Sequence, residues 1–183
     1  VRSEDGADNL IRARAIALAG ADRHPRSAGG RNCRNSIASI EAPSYSLAGM
    51  KADGLSKKSL RIEHKNLTKL YLRAYTYDLR ARLGEARDSN LLPQNREVER
   101  LVQARSPVAE WSVELPATPD FKEHATTVIP PLTNAGAYII VASARRDFRT
   151  DGNHLVAVHQ LLGDLVLIRR DLEGEIEATT RSG

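Results

Sequence analysis

The sequence predicts a mainly β fold, an antiparallel immunoglobulin-like β-sandwich preceded by an N-terminal helical hairpin. Up to residue 42 the apolar residues recur at spacings of three and four, which is typical of helices. After Pro43 they alternate with polar residues at a period of two, in about seven short segments separated by turn signals, as expected for a sandwich. The segment 136–144 is apolar at both alternating positions, which is typical of an inner strand under cover.

Residues 1–42 carry the signals of the helical hairpin. Asp8 is a candidate N-cap for the first helix, which we expect to end near Gly20. The linker 22–30 contains Pro25 and a glycine pair, and a second helix is predicted at about 31–40. Two short helices cannot bury their apolar faces alone, so we expect the end of a helical repeat or a cap on the domain after it. The apolar face of the first helix consists of Leu10, Ile11, Ala15, Leu18 and Ala19.

Residues 43–162 are predicted to form the sandwich. We expect a hairpin around Lys65-Asn66, between the second and third strands, and we expect segment 136–144 to lie beside the Trp111 strand or beside 153–162. The predicted strands are 44–50, 59–64, 67–78, 108–115, 125–129, 136–144 and 153–162.

The polar stretch of about 79–106 is predicted to be a helical insertion on the surface. Segments 80–87 and 97–105 have helical character and flank Pro93. A long polar excursion between strands is more often a decorated loop than a core element. Beyond the sandwich, residues 163–183 are predicted to be a linker and a first hairpin, formed by 165–170 and 175–180, that opens a following, truncated domain.

Composition sets bounds on function. Of 183 residues, 41% are hydrophobic and only 4% aromatic, which predicts an aliphatic core. The net charge of +4 comes from 27 basic and 23 acidic residues that are interspersed, so a mixed solvated surface is favoured over a patch for nucleic acid. No apolar run is long enough to predict a membrane span. The single cysteine, Cys33, excludes an internal disulfide. The chain starts at Val1 without a signal-peptide pattern, and we expect both ends to be cuts in a longer protein.

The residue types that could carry chemistry do not form a recognisable set, so no catalytic, cofactor-binding or metal-ligating residue is predicted. His154 and His159 are five apart on a strand and should face opposite ways, and the other histidines are interpreted as surface residues. Glu175 and Glu177 alternate with Ile176 and Ala178, as on a solvated strand face, and no serine lies in a nucleophile-elbow context. One turn is rich in oxygen ligands and contains Asp147, Asp151 and Asn153. A Ca²⁺ site is considered there, but a solvated hairpin tip is the favoured interpretation.

Three tyrosines are the weak candidate for an interaction face. Tyr71, Tyr75 and Tyr77 alternate along one predicted strand and should share a face. Aromatic stripes bind sugars or peptides in some sandwiches, but they more often belong to a core or an inter-domain contact. Burial of these rings by a neighbouring layer would argue against ligand binding.

Several stretches together resemble the N-terminal macroglobulin-domain region of bacterial alpha-2-macroglobulin-like proteins. They are residues 13–41, 60–78, 110–116, 136–142 and 161–170, of which 65–67 and 70–75 resemble an Asn turn followed by an Arg-x-Tyr strand. The resemblance implies a macroglobulin-like β-sandwich within a larger protein located in the periplasm or at the cell surface. The Cys and Gln of that family's thioester are absent here, since Cys33 lacks the Cys-x-x-Gln context.

Two functions therefore remain open. The first is a non-catalytic structural or interaction module of a protein involved in protease trapping or inhibition and envelope defence. Its partners would be neighbouring domains of the same protein and, through the parent protein, proteases. The alternative is a carbohydrate- or peptide-binding sandwich of a cell-envelope protein that uses the tyrosine face. An enzyme is disfavoured because no nucleophile, base and orienting group can be placed together.

Overall fold

The computed structural model describes residues 8–49, 58–78, 81, 93, 95–163, 165–172 and 175–182. Helices α1 and α2 precede strands β1 to β3, helix α3 lies between β3 and β4, and the remaining strands come after it in order. The elements are α1 Asn9–Arg23, α2 Ala28–Glu41, β1 Ser44–Gly49, β2 Leu60–Lys65, β3 Lys69–Thr76, α3 Asn95–Ala104, β4 Ala109–Glu114, β5 His124–Val128, β6 Gly136–Ser143, β7 Val156–Leu162, β8 Leu165–Leu172 and β9 Glu175–Ser182.

Strands β1 to β7 form two antiparallel sheets, which confirms the predicted sandwich. One sheet has the order β1-β2-β5 and the other β4-β3-β6-β7. Constant-type immunoglobulin domains place the fourth strand beside the fifth. Here β4 pairs with β3 instead, in the four-stranded sheet. Strands β8 and β9 pair only with each other among the described strands, and they form the hairpin expected after the sandwich.

The hairpin predicted around Lys65-Asn66 is wrong, because β2 and β3 belong to different sheets. Strand β2 pairs with β1 and β5, whereas β3 pairs with β4 and β6. Asn66 has a φ of 53°, a left-handed conformation that asparagine tolerates. Its backbone N–H donates to Thr118 Oγ1 at 2.8 Å rather than across a two-strand turn. The chain at this point crosses from one sheet to the other.

The main core lies between the two sheets and is mostly aliphatic, as the composition predicted. Alternate residues of β2, β3 and β6 point into it, which places one face of each strand inside. Its buried members are Tyr45, Leu60, Ile62, Leu70, Leu72, Ala74, Leu115, Ile140 and Ala142.

A second core covers the outer face of β3 and β6. Tyr75, Ile139 and Val141 are buried there beneath α3, whose Val98 is 3% exposed, and beneath Phe148. The predicted inner strand is therefore confirmed, since residues 138–143 are all buried. Its neighbours are β3 and β7. The expectation of 153–162 was right, while the Trp111 strand is separated from β6 by β3.

Helix α3 corrects the surface interpretation for the second helix predicted within 79–106, at 97–105. Val98, Leu101 and Val102 have the spacing of one helix face and pack into the second core. The helix contributes buried apolar surface in spite of its polar composition. The other predicted helix, 80–87, lies outside the described residues apart from Ala81.

The helical hairpin forms with different boundaries from those predicted. Ser27 caps α2 by accepting from the Gly30 backbone N–H at 2.9 Å, so the glycine pair lies in the first turn of α2 rather than in a linker. A side chain at Gly30 would place its Cβ 1.9 Å from the carbonyl oxygen of His24, which explains the glycine. Helix α1 continues past Gly20 to Arg23, and the side chain of Asp8 makes no capping hydrogen bond.

Candidate interaction surfaces

Tyr71 and Tyr75 lie on the outer face of β3 and Tyr77 lies just beyond its end, but only Tyr71 and Tyr77 reach solvent. Tyr75 is 1% exposed because α3 and Phe148 cover it, and this burial raises the pKa of its phenol. Tyr71 and Tyr77 are half-buried at the edge of the same cluster. The Tyr77 ring lies 5.2 Å from that of His159. Tyr75 consequently offers no surface to a ligand, and an interaction face on the other two stays a prediction.

The charged residues near Tyr71 are paired with one another. Lys69 Nζ lies 2.5 Å from Glu114 Oε1, a hydrogen bond that raises the lysine pKa, and 5.9 Å from the Tyr71 ring. Arg73 donates to Glu110 at 2.8 Å and stacks over Phe148 at 4.1 Å. Both cations lie opposite acids of β4 in the strand register. The face is therefore a set of cross-strand ion pairs rather than a cationic patch.

A shallow groove of roughly 410 Å³ runs between α3 and the end of β3. Its wall combines the apolar Leu101 and Ile139 with the acids Asp78 and Glu97. Arg100 and Arg105 also line it, so both signs of charge are present. The mixture selects no particular ligand chemistry.

The histidines are dispersed, and one of them corrects the sequence interpretation. His64 is fully buried on the core-facing side of β2, where a surface residue was expected. The pKa of the His64 imidazole is lowered, chiefly by its burial and to a smaller extent by the nearby His124. His154 stacks on Tyr45 with ring centroids 4.6 Å apart. Within the described part of the chain, no three His, Cys, Asp or Glu side chains cluster as metal ligands.

In the oxygen-rich turn considered for Ca²⁺, Asp147 and Asn153 are hydrogen-bonded to neighbouring residues of the same segment. Asp147 receives two hydrogen bonds from the Arg145 guanidinium, at 2.9 and 2.6 Å, and these hold its pKa well below the usual range. The Asn153 amide donates to Ser143 Oγ at 3.1 Å and to the Arg149 carbonyl at 2.7 Å. The turn thus stabilises its own conformation.

The junction between the helical hairpin and the sandwich is a feature that the sequence interpretation missed. Asn66 Nδ2 donates to the carbonyl of Ile40 at 2.8 Å, at the end of α2. Lys65 Nζ donates to the Ser39 carbonyl at 3.3 Å. The Arg14 guanidinium of α1 lies 5.5 Å from the centre of the Phe121 ring, in the loop before β5. These contacts attach both helices to the same end of the three-stranded sheet.

Apolar side chains also remain exposed outside the cores. Ile16 of α1 is 71% exposed, and Ile11 is 40% exposed. Ile129, just beyond β5, is 66% exposed, and Val108, just before β4, is 54% exposed. Strands β4 and β5 are each paired on only one side among the described strands. Among the helices that the structure describes, none combines the length and the apolar character needed to cross a membrane.

These features define a class of protein, a two-sheet antiparallel β-sandwich carrying a helical hairpin at its N-terminal end. Among solved structures, the chain is similar to native alpha-2-macroglobulin from Escherichia coli, in a crystal structure spanning domains NIE-MG1. The two are 14% identical, the match covers 78% of this chain and 70% of that chain, and the TM-score is 0.48. The family named by this similarity is the one that the sequence resembles. No protein-family model matches the chain, and no curated protein matches it.

Proposed function

We propose that this chain is a non-catalytic structural and interaction module of a larger alpha-2-macroglobulin-like protein. The observation that carries the proposal is the junction, in which Asn66 and Lys65 of the sandwich hold the last carbonyls of α2. Such contacts fix the orientation of the hairpin and, through it, of any neighbouring domain that packs on the exposed face of α1. The sequence stretches that resemble the family support the identity of the parent protein.

The domain organisation is part of the proposal. Residues 1–42 form the helical hairpin, residues 43–162 the sandwich with its insertion at about 79–106, and residues 163–183 the entry to a following domain. The hydrophobic core of a domain should sustain it alone, and both cores belong entirely to the second unit. Its partners would be the neighbouring domains, in contact with exposed side chains such as Ile16 and Ile129.

The parent protein would act in the periplasm or at the cell surface, by trapping or inhibiting proteases as part of envelope defence. This role follows from the sequence resemblance, and the module would contribute to it by positioning neighbours. Its own polar side chains support a scaffold role, because several are engaged in local pairs such as Arg145 with Asp147 and Arg73 with Glu110.

Two measurements test the proposal. Calorimetry and limited proteolysis of the segment 43–162, compared with the full chain, should show a cooperative unfolding transition and a protease-resistant fragment of the same size. An unfolded segment would show that the boundaries are wrong. The full chain, mixed in excess with trypsin or subtilisin, should leave the hydrolysis of both peptide and protein substrates unchanged. Inhibition by this chain alone would identify an autonomous inhibitor and contradict a scaffold role.

The alternative, a carbohydrate- or peptide-binding sandwich, rests on the half-exposed ring of Tyr71. Titration calorimetry with peptidoglycan fragments and short peptides is the direct assay. Binding that is lost in Tyr71→Ala and kept in Ile129→Ala, a control at a distant exposed residue, would establish this function in place of the first. Equal heats from ligand and buffer would remove it.

A further inference from the structure

A row of aromatic and imidazole rings crosses the three-stranded sheet directly beside the junction with the helical hairpin. In the strand register, Tyr45 of β1 lies opposite His64 of β2, and His64 lies opposite His124 of β5. The His64 and His124 rings are 6.5 Å apart between centroids. His64 Nε2 lies 3.4 Å from Thr126 Oγ1, also on β5. The buried imidazole is therefore held between the two neighbouring strands.

The titratable groups that face His64 come from both adjoining strands and from one loop. Strand β1 supplies Tyr45, whose ring stacks on His154. Strand β5 supplies His124, whose Nε2 lies 2.9 Å from the Asp120 carboxylate in the preceding loop. Asp120 is thus the hydrogen-bond partner of His124. His64 is fully buried and has no acid paired with it in the described residues, so its charged form is disfavoured.

The same short segments hold the helical hairpin in place. His64 is followed by Lys65 and Asn66, which donate to the carbonyls of Ser39 and Ile40 in α2. His124 lies three residues after Phe121, over which Arg14 of α1 lies. The Asn66 backbone N–H is itself held by Thr118, in the loop that leads to Asp120. Any displacement of β5 from β2 would therefore be transmitted to both helices.

We propose that the His64–His124 pair is a pH-sensitive latch between the helical hairpin and the sandwich. At neutral pH the buried His64 imidazole is uncharged, β2 and β5 stay paired, and the hairpin is docked. On acidification a positive charge on buried His64, which lies 6.5 Å from the His124 ring and has no acid paired with it among the described residues, is disfavoured as long as β5 stays paired with β2. Strand β5 and the loop before it separate from β2, and Asn66 and Phe121 release the helices. This regulation goes beyond the scaffold role and does not depend on it.

Energy transfer within the full chain tests the latch. Trp111, the only tryptophan, is the donor in the sandwich. In a Cys33→Ala, Ser36→Cys background, a dansyl-type acceptor on exposed position 36 of α2 is the partner. Lowering the pH from 7.5 to 5 should reversibly reduce transfer from Trp111 while the far-ultraviolet circular dichroism stays constant. The midpoint should lie below 6.5, the ordinary value for histidine.

His64→Phe should abolish the transition, and His24→Gln, which removes an exposed histidine elsewhere, should leave it unchanged. Should His64→Phe not fold, His124→Thr at the exposed sheet edge should move the midpoint to lower pH. A transfer efficiency that is independent of pH would overturn the latch. So would an identical transition in His64→Phe or His124→Thr, or a loss of transfer that accompanies a loss of secondary structure.

Discussion

Truncation of Ile140 to alanine tests whether β6 organises the main core. The Ile140 side chain is 0% exposed and lies between Ala74 and Val158 on the adjoining strands. The truncation deletes three buried methylene-sized groups, so their transfer free energy is lost and a cavity is left in the core. Isoleucine-to-alanine changes at such sites cost about 2 to 5 kcal/mol. Because strands on both sides of β6 limit collapse, we expect a loss of about 4 kcal/mol.

Urea unfolding followed by Trp111 fluorescence is the assay, since the single tryptophan packs against this core. With a urea dependence of about 2 kcal/mol per molar, the midpoint should fall by about 2 M at an unchanged slope. Ile129→Ala is the matched control, because that side chain is 66% exposed, and its effect should be within about 0.5 kcal/mol. Ile140→Asp should abolish cooperative unfolding altogether, since it buries an unpaired charge. If Ile140→Ala matched Ile129→Ala, or if Ile140→Asp melted normally, β6 would not be central.

The geometry supports three further predictions. Gly30→Ala should destabilise the protein by about 1 to 3 kcal/mol, because the added Cβ would clash with a backbone carbonyl oxygen. Gly29→Ala adds a Cβ that makes only ordinary van der Waals contact, and it should stabilise the helix by about 0.5 to 1 kcal/mol. Thermal unfolding of the two variants is the comparison. Val98→Ala should lower the free energy of unfolding in urea by about 2 kcal/mol, because that side chain is buried in the second core. Val108→Ala, at an exposed site, should lower it by less than about 0.5 kcal/mol. Equal losses in the two variants would contradict the second core. Folding lowers the pKa of His64, so below about pH 6.5 the unfolded chain binds more protons than the folded one. The Tm should therefore fall as the pH drops through that value. His64→Phe should make the Tm less dependent on pH in this range.

The faces of the strands could be predicted from the sequence, whereas the partners of β3 could not. Alternation along β3 correctly separated Leu70 and Leu72 from Tyr71 and Tyr75, because the pleat fixes sidedness. Nothing local distinguishes a hairpin at Asn66 from a crossing between sheets. The contacts that decide it come from Thr118, 52 residues away, and from the end of α2, 26 residues away. Sheet membership depends on these distant contacts.

The role of α3 was predictable only by combining two observations. The apolar residues of 136–144 on both strand faces already implied cover on the outer side of the sheet. Val98, Leu101 and Val102 offered a matching apolar stripe, but the surrounding charged residues favoured a surface interpretation. A strand that is apolar on both faces requires a second layer, and within the described residues α3 supplies it. The polar composition of a helix thus says little about its single buried face.

His64 shows how strand period outweighs the character of neighbouring residues. It comes after Leu60 and Ile62 at intervals of two, so the period places it in the core, although Lys65 beside it suggested the surface. This position also makes His64 the group through which acid should act on the fold. The ion pairs of Arg145 with Asp147 and of Lys69 with Glu114 are exposed and screened, and such pairs contribute little. The apolar cores do not titrate. Among the described residues with a shifted pKa, only His64 has an ordinary value close to the range between pH 7 and 5. Because His64 lies beside the junction, the helical hairpin should respond to a fall in pH before the sandwich does.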